Sequence, residues 1–263
     1  SLITALLFYF GYASSRAQYE YFGIDVDTIG LSTQDYVMRS PQPLLAPLLA
    51  LLLLAVAVAA LNEFIRRRVG AAVAEGEDPD PEVAVAARRR LRRDRRLGRA
   101  VVATGYVVLL ASVALLLAYG VLLDWPYYPL VTPLTLALGA ALCLYGRRIA
   151  RLLDPSARGH RPAALSLALV LGVSVFWTTA TFAQWSGRGS ALEIARHLDR
   201  LPSVVVDTTE ELHLVSPDID VKALPPSNGQ TFTYRYRNLR LLIQGRDRLF
   251  LVPGTWSARN ATL

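Results

Sequence analysis

Five apolar runs, almost free of charge, are separated along this chain by polar segments of very different character. The runs cover Leu2 to Tyr12, Pro43 to Ile65, Ala100 to Leu123, Pro126 to Tyr145 and Ala163 to Ala183. Each of the last four is close to the ~20 residues a helix needs to cross a ~30 Å hydrocarbon core. Hydrophobicity is continuous within them rather than alternating, which predicts helices and not barrel strands. The expected fold class is therefore an α-helical integral membrane protein of about five transmembrane helices with a small extracellular α/β domain. The transmembrane domain takes residues 1–185, with spans at 1–12, 43–65, 100–123, 126–145 and 163–183. The first run covers only ~17 Å at 1.5 Å per residue, so it is expected to be the end of a truncated span.

The polar segments carry local signals of their own. In the segment 13–42, Ser32-Thr33-Gln34-Asp35 resembles a capping box and predicts a short helix from Thr33 to Arg39, before Pro41. In the loop 66–99, Glu75 to Pro81 reads as an acidic link. Asp80 then caps a helix from Glu82 to Leu97 that can run on into the third span, with Gly98 as a kink. The tail 186–263 predicts a helix capped by Ser190 through Leu201, then strands at Val204–Val206, Leu212–Val215, Thr231–Gln244 and Arg248–Val252. A turn falls at Gly245-Arg246-Asp247. Ala261 to Leu263 resembles the start of one more strand, so the tail is expected to be truncated. About 75 residues without a disulfide make a marginal core. This domain is expected to lean on the membrane helices, a neighbouring subunit or the missing residues.

Charge sets the orientation. Arg66, Arg67 and Arg68 close the second run, and eight more arginines lie between Arg88 and Arg99. Arg147, Arg148, Arg151, Arg158 and Arg161 separate the last two runs. Positive loops stay inside, so loop 66–99 and the 147–161 gap are expected to be cytoplasmic. Segment 13–42, the link at Asp124 and the tail are then external, with the N-terminus inside and the C-terminus outside. Tyr12, Trp125, Tyr127, Tyr128 and Trp185 fall at the outer boundary, where aromatic belts form. The net charge of +7 is concentrated in these loops. It is therefore assigned to anionic lipid at the cytoplasmic face, not to nucleic acid. Candidate lipid contacts are Arg66, Arg67, Arg68, Arg92, Arg93, Arg95, Arg96, Arg147, Arg148 and Arg151.

Chemical motifs are sparse. Cys143 is the single cysteine and lies inside an apolar run, which leaves no disulfide and no cysteine metal site. Ser203, Asp207, His213, Asp218 and His197 provide hydrolase residue types, yet no nucleophile elbow, zinc helix or P-loop is present. No catalytic, metal or cofactor residue is assigned, and the chain is expected not to be an enzyme. The central turns of the last four runs carry no ionisable residue, which argues against ion-coupled transport. Ser174, Thr178, Thr181 and Trp185 share one helical face, so they are candidates either to line a pore or to pack against a neighbouring helix. Ala55 with Ala59, and Gly139 with Cys143, give weak small-residue packing signals. In the external parts, Tyr21, Phe22 and Asp25 of a lid are expected to meet Tyr234, Tyr236 and Arg237 of the tail.

The segments Tyr19 to Asp25, Ser32 to Ser40, Tyr234 to Leu242 and Arg248 to Pro253 resemble those of uncharacterised multi-pass membrane proteins of Streptomyces and related actinobacteria. The dominance of arginine, with Lys222 the only lysine, fits a GC-rich genome of that kind. The resemblance implies a bacterial plasma membrane and carries no activity. The leading functional expectation is a non-enzymatic assembly, a homo-oligomeric channel or pore with the fifth span nearest its axis. The alternative is a structural, sensing or complex-accessory protein whose external domain binds a partner. An extracellular hydrolase is a third and weaker expectation.

Overall fold

The computed structural model describes residues 1–76, 81–122, 124–153, 161–214, 218–225 and 231–257. The acidic link 77–80, His160, Val215 and the segment 261–263 lie outside the described residues. Among the described residues, four helices are long and apolar enough to cross a membrane: Pro41–Ala71, Arg92–Leu117, Tyr128–Leu152 and Pro162–Arg196. They belong to α4 (Pro41–Gly76), α5 (Pro81–Leu117), α7 (Tyr128–Leu153) and α8 (Arg161–Arg196). The other helices are α1 (Leu2–Glu20), α2 (Val26–Ile29), α3 (Thr33–Arg39) and α6 (Tyr119–Leu122). One small antiparallel sheet completes the fold. The chain divides into two compact units, Ser1–Leu45 with Phe182–Leu263, and Ala46–Thr181. The first forty-five residues therefore group with the tail rather than with the long helices.

Several helix boundaries differ from those expected. Helix α1 does not stop at Tyr12 but runs on to Glu20, and it is not among the four long apolar helices. Its small residues explain the continuation: Gly11, Ala13, Ser15 and Ala17 are all buried and let neighbouring backbone approach. The expected cytoplasmic helix and third span are one helix, α5, and Gly98 lies within it. That helix ends at Leu117 rather than Leu123, and the four-residue α6 follows. Span five and the expected tail helix are likewise continuous in α8. Ser190 is no N-cap; its hydroxyl donates to Ser186 O at 3.0 Å, a bond within the helix. At 36 residues, α8 is about 54 Å long, well beyond the ~30 Å core of a bilayer.

Among the described residues, two hydrophobic clusters hold the first unit. One joins α1, the lid and the sheet through Tyr19, Phe22, Ile29, Tyr36, Ile243 and Val252, with Ala191 and Leu198. The lid forms as its sequence dictates: Ser32 caps α3 with Asp35 in a reciprocal box, and Asp25 caps α2 by accepting from Asp27 N at 3.1 Å. The second core holds Ile219, Tyr236, Leu239 and Leu251. The sheet contains β1 (Ser203–Thr208), β2 (Asp220–Ala223), β3 (Tyr234–Gln244) and β4 (Leu249–Pro253). Strand β3 pairs with β1 along one edge and with β2 and then β4 along the other. Asn238 sits in β3 at φ 63° where the register shifts opposite Val204 and Val206. This is a bulge at a residue type that tolerates the left-handed region. Two expected strand features are corrected. Leu212–Leu214 form no strand, because Tyr236 Oη holds Leu212 through its N (2.6 Å) and O (3.3 Å). Strand β1 is half-exposed, not buried, since Val205 turns outward.

The second unit is built on close helix packing. Helices α5 and α7 form an antiparallel hairpin with glycines where the backbones meet. A Cβ at Gly105 would lie 2.7 Å from Cys143 Sγ and 2.8 Å from Cys143 N. One at Gly139 would lie 2.9 Å from Leu109 N, and one at Gly146 3.0 Å from Val102 N. Backbones approach this closely only when Cβ is absent. Near the turn, Tyr128 is buried and donates to Leu115 O at 2.9 Å, so it closes the hairpin instead of joining an exposed belt. Helix α8 packs on α7 through Leu167 against Ala140 and Cys143. Helix α4 remains almost uncovered, with 6% of its most apolar window buried.

Candidate functional site

The hydroxyl face of α8 is closed. Ser174 donates to Val170 O at 2.7 Å and Thr178 to Ser174 O at 2.8 Å. Thr179 donates to Val175 O at 2.8 Å, and Thr181 to both Trp177 O and Pro129 O at 3.1 and 3.3 Å. Ser174 is 2% exposed and Thr181 4%. Each hydroxyl thus spends its proton on a backbone carbonyl, the usual fate of Ser and Thr in an apolar helix. Trp185 is half-buried and belongs to the first unit.

The candidate lipid-contact arginines gather at one end of the second unit. Gly98 faces Ile149, which sets residues 92–99 of α5 beside 147–151 of α7. Arg68 Nε lies 3.9 Å from Asp94 Oδ2 and brings in the end of α4. Arg67 pairs with Glu63 at 2.8 Å, one helical turn away. Arg147 donates to Tyr106 Oη at 2.6 Å and lies over that ring. Arg66, Arg92, Arg93, Arg95, Arg96, Arg148 and Arg151 are exposed. Beneath this basic rim, Leu61, Phe64, Arg68, Asp94, Leu97 and Ile149 line an apolar groove of about 210 Å³.

In the first unit the expected lid contacts are only partly brought together. Phe22 is buried, with its ring tilted against Trp256 (centroids 4.8 Å apart) and edge-on to Tyr21 (5.4 Å). Tyr236 and Tyr234 belong to the other core. The expected attraction of Asp25 for Arg237 is corrected: Asp25 caps α2, and Arg237 stands exposed in β3 opposite Asp220. The strong ion pair of the sheet is instead Arg235 with Asp207, bidentate at 2.8 and 2.8 Å. The guanidinium's hydrogen bonds hold the Asp207 carboxyl below the usual carboxylate range. In the lid, Ser32 lowers the Asp35 carboxyl in the same way, while burial pushes the Tyr36 phenol up. Tyr36 lies edge-on to Phe8 and Tyr12, each 5.4 Å away.

Sequence reasoning missed a polar cleft of about 320 Å³ between α1 and the last turns of α8. Tyr9, Tyr12, Arg16, Glu20, Gln184 and Arg188 line it. Its signal in sequence was slight: two arginines just beyond apolar runs, 172 positions apart in the chain. His197, just past the end of α8, has its Nδ1 3.0 Å from Glu193 Oε1 of the last turn. Among the described residues, no three His, Cys, Asp or Glu side chains group so as to hold a metal.

Among the described residues the architecture is mostly helical, with four helices long and apolar enough to cross a membrane and a small antiparallel sheet at the C-terminal side, which is compatible with a helical membrane protein. No protein-family model, curated protein or solved structure matches this chain.

Proposed function

We propose that the chain is a non-enzymatic accessory protein of a bacterial plasma membrane, whose folded first unit stands outside the cell and binds a partner. In this reading the arginine-rich rim lies at the cytoplasmic face against anionic headgroups, and α4 presents its open apolar surface to another membrane helix. The observation that carries it is the closed hydroxyl face of α8 set against the bare face of α4. A pore wall needs polar groups left for water or ions, whereas this chain leaves an apolar helix to be covered. The bacterial setting rests on the resemblance of the lid and β3–β4 segments.

Two measurements test this. Purified protein in planar bilayers should give no unitary conductance; reproducible openings would restore the oligomeric pore. Orientation is tested by single cysteines at Thr209 and Arg92 in a Cys143→Ala background. An impermeant thiol reagent on intact cells should label Thr209→Cys and spare Arg92→Cys, and the opposite pattern inverts the topology.

A further inference from the structure

The cleft between α1 and the end of α8 holds two guanidiniums, neither of them in an ion pair among the described residues. Arg16 and Arg188 line it together, and neither makes a hydrogen bond among the described residues. Arginine stays charged at any physiological pH, so two in one cleft repel unless an anion lies between them. The helices carrying them cannot separate freely. A Cβ at Gly187 would collide with the backbone of Ser14, so α1 and α8 are in backbone contact beside this pair. Glu20 lies one turn beyond Arg16 yet does not pair with it; it faces the same cleft. A second cleft of about 300 Å³ shares Arg16 and Glu20 and continues to Asp25 and Asp27. The combined site has a basic end and an acidic end, which suits a zwitterion and not a simple anion.

Height along α8 narrows the source of that zwitterion. If the core-crossing part of α8 ends near Ala183, Arg188 lies about 7.5 Å further along the axis at 1.5 Å per residue. That is the depth of the headgroup layer, which adds about 5–8 Å to each side of the hydrocarbon core. Tyr12 and Tyr9, about one and two turns below Arg16 on α1, supply the amphipathic rings that favour this layer. We propose that this cleft binds the headgroup of an amino-phospholipid, its phosphate held by Arg16 and Arg188 and its ammonium by Glu20. Arginine forks suit phosphate oxygens through paired N–H donors. The proposal rests on α8 being a membrane span, which the cysteine labelling above tests independently.

Native mass spectrometry of the full chain, titrated with defined lipids, tests the site. Phosphatidylethanolamine should be retained more strongly than phosphatidylcholine, whose quaternary ammonium cannot donate to Glu20, and more strongly than phosphatidylglycerol, which has no cation. The variant Arg16→Gln/Arg188→Gln should lower phosphatidylethanolamine affinity about tenfold or more, as expected for lost charge-assisted hydrogen bonds. Glu20→Gln should erase the preference for phosphatidylethanolamine over phosphatidylglycerol while leaving phosphatidylglycerol binding unchanged. Both arginines are exposed and unpaired among the described residues, so these variants should keep the wild-type melting temperature. Undiminished phosphatidylethanolamine binding by the double variant would overturn the site. Soluble phosphoethanolamine or inorganic phosphate competing as well as the lipid would overturn the membrane source.

Discussion

Replacing Gly105 by alanine measures how far backbone contact holds α5 to α7. The new Cβ would lie 2.7 Å from Cys143 Sγ, 2.8 Å from Cys143 N and 3.0 Å from Gly139 O. Optimal carbon contacts fall near 3.5–4.0 Å, so the helices must move apart by several tenths of an ångström or more. Two of the three obstructing atoms are backbone, which no rotamer change can clear. Forcing a methyl group into such a site costs about 1–3 kcal/mol. Alanine also favours the helix over glycine by about 0.8–1.0 kcal/mol, which masks part of that cost. Gly172 supplies the control: it lies within α8, and a Cβ there meets nothing within 4 Å. Gly172→Ala carries the propensity gain without the clash. The difference between the two variants therefore isolates packing at about 1–3 kcal/mol. At ~2–4 °C per kcal/mol for a chain of roughly this size, Gly105→Ala should melt some 2–12 °C below Gly172→Ala. The single buried thiol of Cys143 makes the assay direct, because a dye that fluoresces on reaction reports its exposure during heating. Tryptophan fluorescence gives a second reading independent of local change at Cys143. Equal melting of the two variants, or a higher value for Gly105→Ala, would refute backbone contact as the source of this packing.

Three further outcomes follow from the first unit. The Arg235 hydrogen bonds lower the Asp207 pKa on folding, so their stabilisation is fully present above the unfolded carboxyl value of about 3.9 and is lost as pH falls through the lower folded value. Asp207→Asn should thus lower the melting temperature at pH 6, with the deficit closing below about pH 3.9; a deficit constant with pH would contradict this. Ser190→Ala should change stability by no more than about 0.5 kcal/mol in a denaturant titration, whereas a loss near 1 kcal/mol would mark the cap that the sequence pattern implies. Phe22→Ala should cost about 3–5 kcal/mol, more than the charge swap Asp25→Arg/Arg237→Asp. Because Phe22 and Tyr236 lie in separate cores, their truncations should add in thermal melts within about 0.5 kcal/mol.

Sequence alone determined the features that rest on local chemistry. Apolar runs of about twenty residues identify membrane-length helices because a bilayer sets that length. The Ser32–Asp35 box fixes the start of α3 because both partners lie within one turn. The turn at Gly245 follows from the same kind of short-range signal, and there Gly245 N donates to Arg248 O at 2.8 Å. Helix ends were harder to read. Ser190 looks like a cap, yet α8 passes straight through it, because Ala191 is buried in the core and tertiary packing outweighs a local preference. Strand β2 was illegible, being four exposed residues that form a strand only through pairing with β3. The glycines of α5 and α7 recur seven apart, at Gly98 and Gly105 and at Gly139 and Gly146. Spacing shows that each pair shares a face, but only the folded hairpin shows that the two faces meet. The same holds for Arg16 and Arg188, whose cleft exists because α1 and α8 touch at Ser14 and Gly187. Contacts between residues far apart in the chain depend on how whole helices pack, and no local pattern of residues encodes that.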